Sequence, residues 1–350
     1  MIFLDNLLDT LFAVIGLASA SICSANTWHF WEESFMKLGV TIPNIELGND
    51  LESIKAFVQA AENLGYDYLM LYDHVVGADL KVRPDWKPFL GNPPIYTLDD
   101  AFHEPMVLYG YIAAITKSIE LATGVVISPQ RQTVLLAKQA AEVDVLSRGR
   151  LRLGIGIGWN DVEYQALGMD FRTRGKRSAE QIEVMRALWT NKSVFFEGKW
   201  HSLEGVGINP LPVQKPIPIW LGGAADAVLK RVAQLADGWY APSYLDEGEL
   251  KVHIARLREF AREAGRDPES IGIEGIIRMW GRSPEQCAES IDMWRRLGAT
   301  HVTFNTESDS YKDRLPGAQM QTVAGRGDFE NMGDRIQALS VFKDAVEALN

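Results

Sequence analysis

The chain has 350 residues, 47% of them hydrophobic and 23% charged, an ordinary globular composition with ample material for a large core. Its formal net charge of −11 repels phosphate polymers and anionic lipid, so neither nucleic acid nor a membrane is an expected partner. The two cysteines, Cys23 and Cys287, form neither a metal spacing nor a disulfide framework, and a cytoplasmic protein is the natural reading.

The first 35 residues stand apart from the rest. Leu11–Ala20 is apolar but too short to span a bilayer. The residues before it carry Asp5 and Asp9 and no Lys or Arg, which speaks against a secretory signal. Ala18-Ser19-Ala20 keeps a cleavage site open as one alternative, and translation from Met36 is another. The expected organisation is an extension over 1–35, dispensable for the fold, and one domain over 36–350.

From Met36 onward, strand-like and helix-like segments alternate. Lys37–Ile42 reads as a strand stopped by Pro43, and Asp50–Leu64 as an amphipathic helix stopped by Gly65. Tyr68–Tyr72 is the second strand and Pro105–Thr116 its helix. Ile119–Ile127 and Thr133–Leu146 follow, the helix ending at Ser147-Arg148-Gly149. Next come Arg150–Ile157 with Ser178–Trp189, Ile217–Leu221 with Ala225–Leu235, and Gly238–Ala241 with Glu247–Ala264. Ile271–Met279 with Pro284–Leu297 and His301–Phe304 with a last helix near Met332–Leu349 complete the series. Eight strands, each followed by a helix, predict parallel pairing with right-handed crossovers, hence an α/β (β/α)8 TIM barrel.

Three segments interrupt the alternation: Gly77–Asp100 after strand two, Ser193–Pro216 downstream of strand four, and Thr306–Phe329 after strand eight. The middle one contains an expected hairpin, Ser193–Phe196 and Lys199–His201, turned at Glu197-Gly198. The first and last follow strand ends and read as covers, with Trp86, Phe89 and Tyr96 either facing substrate or packing locally.

Catalytic groups in such a barrel belong at the C-terminal strand ends. Asp73-His74 ends strand two. A histidine there titrates near neutral pH and suits proton transfer, with a structural role as the alternative. The remaining histidines considered, His103, His201, His253 and His301, read as structural. No His-x-His or His-x-x-x-His spacing occurs, which disfavours a metal-dependent hydrolase. Gly154-Ile155-Gly156-Ile157-Gly158 fails as a dinucleotide fingerprint, because its glycines lie within the strand. They are expected instead to leave room for a flat ring. Gly222-Gly223 precedes a helix and reads either as a phosphate cradle or as a tight turn. Arg172, Arg174, Lys176 and Arg177 form a basic run that is either a solvated helix start or a phosphate contact.

Taken together, Ala122–Trp159 (ATGVVISPQRQTVLLAKQAAEVDVLSRGRLRLGIGIGW), Tyr72-Asp73-His74, Ala166–Gly175, Pro216–Gly223 and Ala236–Trp239 resemble the luciferase-like monooxygenase superfamily, in particular its branch using the deazaflavin F420. The resemblance covers nearly all of 36–350. It implies F420, or alternatively FMN, at the strand ends and a non-prolyl cis peptide at Val125–Val126. It further implies His74, with Asp73, near the reacting atoms. Val125, Val126, Gly156, Gly158, Trp159, Arg174, Gly222 and Gly223 then form the cofactor site. No clear match exists to the phosphate-binding Lys and Arg of sugar-phosphate members, so a sugar phosphate is not the expected substrate. The expected activity is hydride transfer between F420 and a small organic substrate, by a homodimer. An FMN-dependent two-component monooxygenase with a separate flavin reductase is the alternative, and a non-catalytic flavin-binding barrel stays open behind it.

Overall fold

The computed structural model describes residues 36–87, 96–279, 282–307 and 331–348; the extension over 1–35, Phe89 and most of the segment after the last strand lie outside them. Strands and helices alternate as β1 (Lys37–Thr41), α1 (Leu51–Asn63), β2 (Tyr68–Leu71), α2 (Pro105–Ile115), β3 (Glu120–Thr123, resumed by Val126–Ile127) and α3 (Thr133–Ser147). They continue as β4 (Leu151–Gly156), α4 (Arg174–Thr190), β5 (Ile219–Gly222), α5 (Asp226–Leu235), β6 (Gly238–Tyr240) and α6 (Glu247–Glu263). The series ends with β7 (Gly272–Arg278), α7 (Pro284–Arg296), β8 (His301–Asn305) and α8 (Met332–Glu347). All barrel pairings are parallel. β1 pairs with both β2 and β8, and β3 pairs with both β2 and β4, so the ring closes. The expected (β/α)8 barrel is the fold.

Local chemistry sets the helix boundaries. The Asp50 carboxylate caps α1, accepting from the amides of Glu52 and Ser53 at 3.1 and 3.3 Å. Ser283 and Gln286 form a reciprocal capping box on α7, with Pro284 in its first turn. α3 ends where Arg148 (φ 62°) and Gly149 (φ 84°) turn left-handed, at the stop read from the sequence. Three features differ from expectation. α4 begins at Arg174 rather than Ser178, because its basic first turn lacks apolar periodicity. The second hairpin strand is Ser202–Val206; Lys199-Trp200-His201 belongs to the turn, closed by the Gly198 amide donating to the His201 carbonyl at 2.8 Å. Short helices at Asn44–Leu47 and Asp161–Ala166 were not expected.

The apolar interior has two parts. The larger lies between barrel and helices and includes Val40, Leu69, Leu153, Phe57 and Leu188. The smaller, inside the barrel, joins Tyr68, Met70, Ala122, Trp220 and Tyr240. Arg152 and Glu274 form a buried ion pair at this level, with the guanidinium 4.4 Å from the Tyr68 ring centroid and 4.6 Å from that of Trp220. The Thr303 hydroxyl sits between Glu274 and the Tyr68 hydroxyl, 2.9 Å from the latter.

Candidate active site

Side chains alternate across a strand, so the inward positions can be followed upward from this polar floor. On β7 they run Glu274, Ile276, Arg278; on β8, Thr303, Asn305 and then Glu307 just past the strand. On β4 they run Arg152, Gly154, Gly156, then Gly158, and on β5 Trp220, Gly222. The mouth is therefore lopsided, with glycine on one side and polar groups on the other. It opens into a cavity of about 640 Å³ at the C-terminal strand ends. His74, Asp73, Val125, Gly156, Gly158, Trp159, Arg174, Gly222 and Gly223 all line it.

Val126 does not. It is fully buried in the core between sheet and helices and pairs with Ile155 of β4. The cis peptide is Gly124–Val125, one residue earlier than expected. A Cβ on Gly124 would lie 2.4 Å from the Met70 sulfur, so a larger residue there would require Met70 to shift. The glycines of β4 also require a correction. A Cβ on Gly154 would meet the Thr123 carbonyl at 1.8 Å, and one on Gly156 would meet Val125 at 2.3 Å. The space they open is filled largely by the interrupted strand β3, which the missing side chains allow to press into the barrel mouth.

His74 sits in an aromatic box. Its ring centroid is 4.0 Å from that of Tyr96, 4.9 Å from Phe102 and 5.8 Å from Trp159. Nδ1 lies 3.5 Å from the buried Glu163 carboxylate, a residue the sequence reading missed. Glu163 also accepts from the Val75 amide at 2.7 Å and from Gln130 Nε2 at 2.9 Å. Burial alone pushes its carboxyl up, but His74 and these hydrogen bonds outweigh burial and hold it below the usual range. Asp73 does not form a working pair with His74. Its carboxylate accepts from Arg131 Nη2 at 2.8 Å and from the Ile127 amide at 3.1 Å, and Arg131 reaches on to Glu104 at 2.9 Å. Burial pushes the Asp73 carboxyl up, with Arg131 opposing it. Asp73 thus bolts the resumed part of β3 to the end of β2.

Of the aromatic residues expected on the cover, Tyr96 faces the cavity, its hydroxyl accepting from Asn160 Nδ2 at 2.6 Å. Trp86 instead donates to Asp161 at 2.9 Å and is not among the lining residues. At the glycine side, Gly223 takes φ 125°, a conformation that favours glycine, and its carbonyl accepts from Trp239 Nε1 at 2.8 Å. α5 starts just beyond it with Ala225 at the N-cap, which offers no side-chain oxygen to the first-turn amides. Arg174 lies over the Phe171 ring at 3.7 Å and donates to the Phe171 carbonyl at 2.8 Å.

The polar side was also missed, although continuing the two-residue alternation past β7 and β8 would have found it. Arg278 is exposed and has no ion pair among the described residues. The Glu307 amide donates to Asn305 Oδ1 at 2.8 Å, and burial together with Glu46 pushes the Glu307 carboxyl up to about 8. Among the described residues the other histidines have structural partners, His253 at the Glu249 carbonyl (2.7 Å) among them. His201 bridges Glu180 (2.8 Å) and Thr133 (2.6 Å) to pin the hairpin, and His103 contacts the Gly48 carbonyl at 2.7 Å. Burial, with Arg152 and Lys37 nearby, pushes His301 down to about 2.

Comparison with known proteins agrees with this geometry. Residues 36–344 match the model of the luciferase-like monooxygenase family. An uncharacterised protein of Mycobacterium tuberculosis is 32% identical over 212 residues, 60% of this chain and 72% of that one. The F420-dependent glucose-6-phosphate dehydrogenase of Gordonia bronchialis is 29% identical over 277 residues, 75% of each. The pyrimidine monooxygenase RutA of Allorhizobium ampelinum is 27% identical over 235 residues, 65% of this chain and 58% of that one. Among solved structures, the monooxygenase RslO1 of Streptomyces bottropensis superposes with a TM-score of 0.70 at 18% identity, covering 90% of this chain and 99% of that one. No helix among the described residues is long and apolar enough to cross a membrane.

Proposed function

This chain belongs to the luciferase-like monooxygenase family, and on that premise we propose that it is an F420-dependent oxidoreductase acting on a small organic substrate in the 640 Å³ cavity. The observation that carries the reading is His74, an imidazole at the cavity wall with only one of its two nitrogens turned toward a protein carboxylate. The residues present suit the cofactor. Gly222 and Gly223 bring bare backbone to the cavity wall, where a planar ring can approach closely, with Gly156 and Gly158 lining the cavity beside Val125 and Ile127. The uncapped first turn of α5 and Arg174 suit its phosphate. Bound there, the deazaflavin supplies a hydride acceptor or donor. His74 takes the hydroxyl proton when an alcohol is oxidised and returns it in the reverse direction. The aromatic box of Tyr96, Phe102 and Trp159 keeps water from the reacting centre. The same reading has the enzyme working in the cytosol as a homodimer.

A second reading is an FMN-dependent monooxygenase supplied by a separate flavin reductase; the 27% identity to RutA favours it. Fluorescence titration of the purified protein with F420 and with FMN decides between them. We expect F420 to bind at micromolar concentration. FMN binding without F420 binding transfers the assignment to the second reading, and binding of neither overturns both.

A further inference from the structure

We propose that Glu163 is the positioning residue of the proton-transfer step, fixing the single proton of neutral His74 on Nδ1 so that Nε2 presents its lone pair to the cavity. This rests on reading His74 as the proton carrier. Glu163 stands on the short helix Asp161–Ala166, itself capped by Asn160, and its side chain is 1% exposed. Two donors aim its carboxylate. The Val75 amide takes one side of Oε1 at 2.7 Å, and Gln130 takes Oε2 at 2.9 Å. The remaining face of Oε1 lies 3.5 Å from His74 Nδ1, a buried nitrogen with no other partner.

The tautomer follows from what each atom can do. An ionised carboxylate only accepts, so a proton on Nδ1 is attracted to it, whereas a bare Nδ1 would set lone pair against lone pair at low dielectric. Among the described residues no competing acceptor holds the ring otherwise. Asp73 is occupied by Arg131 and the Ile127 amide, and the Tyr96 hydroxyl is engaged by Asn160. The Tyr96 ring at 4.0 Å, with Phe102 at 4.9 Å and Trp159 at 5.8 Å, resists a ring flip. With a bound deazaflavin as hydride acceptor, Nε2 would receive the substrate's hydroxyl proton while the C–H hydride is transferred and the C–O bond becomes a carbonyl. The imidazolium so formed faces the Glu163 charge, and a contact of 3.5 Å in the free protein can shorten at that stage. Through Gln130 the same carboxylate is tied to the segment following β3, so the proton carrier and the backbone behind the cavity share one anchor.

The test uses the full-length, cofactor-free protein labelled with ¹⁵N-histidine. Long-range ¹⁵N–¹H NMR correlations report which ring nitrogen carries the proton, and His74→Asn assigns the signal. We expect neutral His74 to be protonated on Nδ1 in the wild type and to lose that preference in Glu163→Ala. Turnover of the loaded enzyme should fall about 10²-fold or more in Glu163→Ala with KM little changed. Glu163→Gln, which keeps an acceptor but no charge, should recover part of the loss. A wild-type His74 protonated on Nε2 overturns the proposal even if the alanine variant does not fold, and so does wild-type turnover in Glu163→Ala. Because the NMR arm needs no cofactor, its outcome is separate from the F420 and FMN titrations, whose failure would overturn the functional reading instead.

Discussion

The barrel interior carries charge at both ends, and the two ends treat it differently. At the floor, Arg152 and Glu274 pair directly, the Tyr68 and Trp220 faces cover the guanidinium, and none of these residues lines the cavity. At the mouth, Asp73 and Arg131 close on each other, but His74 Nδ1 stands 3.5 Å from Glu163 with no hydrogen-bond partner, and Arg278 has no ion pair among the described residues. Both ends bury ionisable side chains at a desolvation cost, which only good pairing offsets. At the floor the two charges pair with each other, while Arg152 Nε and Nη2 have no hydrogen-bond partner among the described residues. What distinguishes the mouth is access: His74 and the exposed Arg278 line the cavity, whereas Arg152 and Glu274 do not.

The comparison can be broken by removing one member at each end. The largest effect is expected at the mouth. His74→Ala should lower turnover by about 10²–10⁴-fold, measured as steady-state rate, while F420 affinity by fluorescence titration changes far less. Loss of both together would make His74 a cofactor ligand rather than a proton carrier. At the floor, Glu274→Ala leaves the Arg152 charge buried and unpaired, which should cost about 3–5 kcal/mol of stability in urea unfolding, with cofactor affinity of the still-folded protein unchanged. A cost below about 1 kcal/mol would mean that water reaches Arg152 and that the floor is not closed.

What was legible in the sequence was whatever depends on near neighbours. Strand positions follow from short apolar runs, and helix ends from Asp50, Ser283 and the Arg148-Gly149 stop. His74 could be singled out because its place at a strand end is a property of one segment. Glu163 could not, since its importance comes from Val75 and Gln130, contributed by two distant segments, and its helix is only six residues long. The same holds for Asp73, whose partners Ile127, at the end of the resumed β3, and Arg131, just past it, lie beyond the next helix. The cis bond lies at Gly124–Val125, one residue before the expected place, where Gly124 packs against Met70 of the distant strand β2, a contact the local motif does not contain.

A smaller effect is expected from Glu307 on the polar wall. A carboxyl whose folded-state pKa lies above its ordinary value keeps, in the folded chain, a proton that the unfolded chain has already released. Stability attributable to Glu307 is therefore present below about 4.5 and is lost as pH rises toward about 8. Glu46 adds to this direction, and Arg335 and Asn305 oppose it. Glu307→Gln should flatten that part of the slope, read from urea midpoints at pH values near 5 and 8. An unchanged slope would place the Glu307 carboxyl in water at neutral pH.

The smallest effect should come from Trp86. Its indole donates to Asp161 at 2.9 Å, and the neighbouring Arg83 donates to Gln165 at 3.1 Å, so this stretch is tethered to the same short helix that carries Glu163. The tether lies at the surface, where a single hydrogen bond contributes about 0.5–1.5 kcal/mol. Trp86→Phe removes the donor and keeps an aromatic ring. If the helix is fixed mainly by its buried contacts, Glu163 with Val75 and Gln130 and the Tyr164 hydroxyl with the Ile157 carbonyl at 2.6 Å, turnover should stay within about twofold of wild type and stability should drop by about 1 kcal/mol or less. Steady-state kinetics and urea unfolding measure both quantities. A tenfold loss in kcat/KM would show instead that the surface tether sets the position of Glu163 and, through it, of His74; the boundary between the open mouth and its surroundings would then have to be drawn outside the cavity, at the loop.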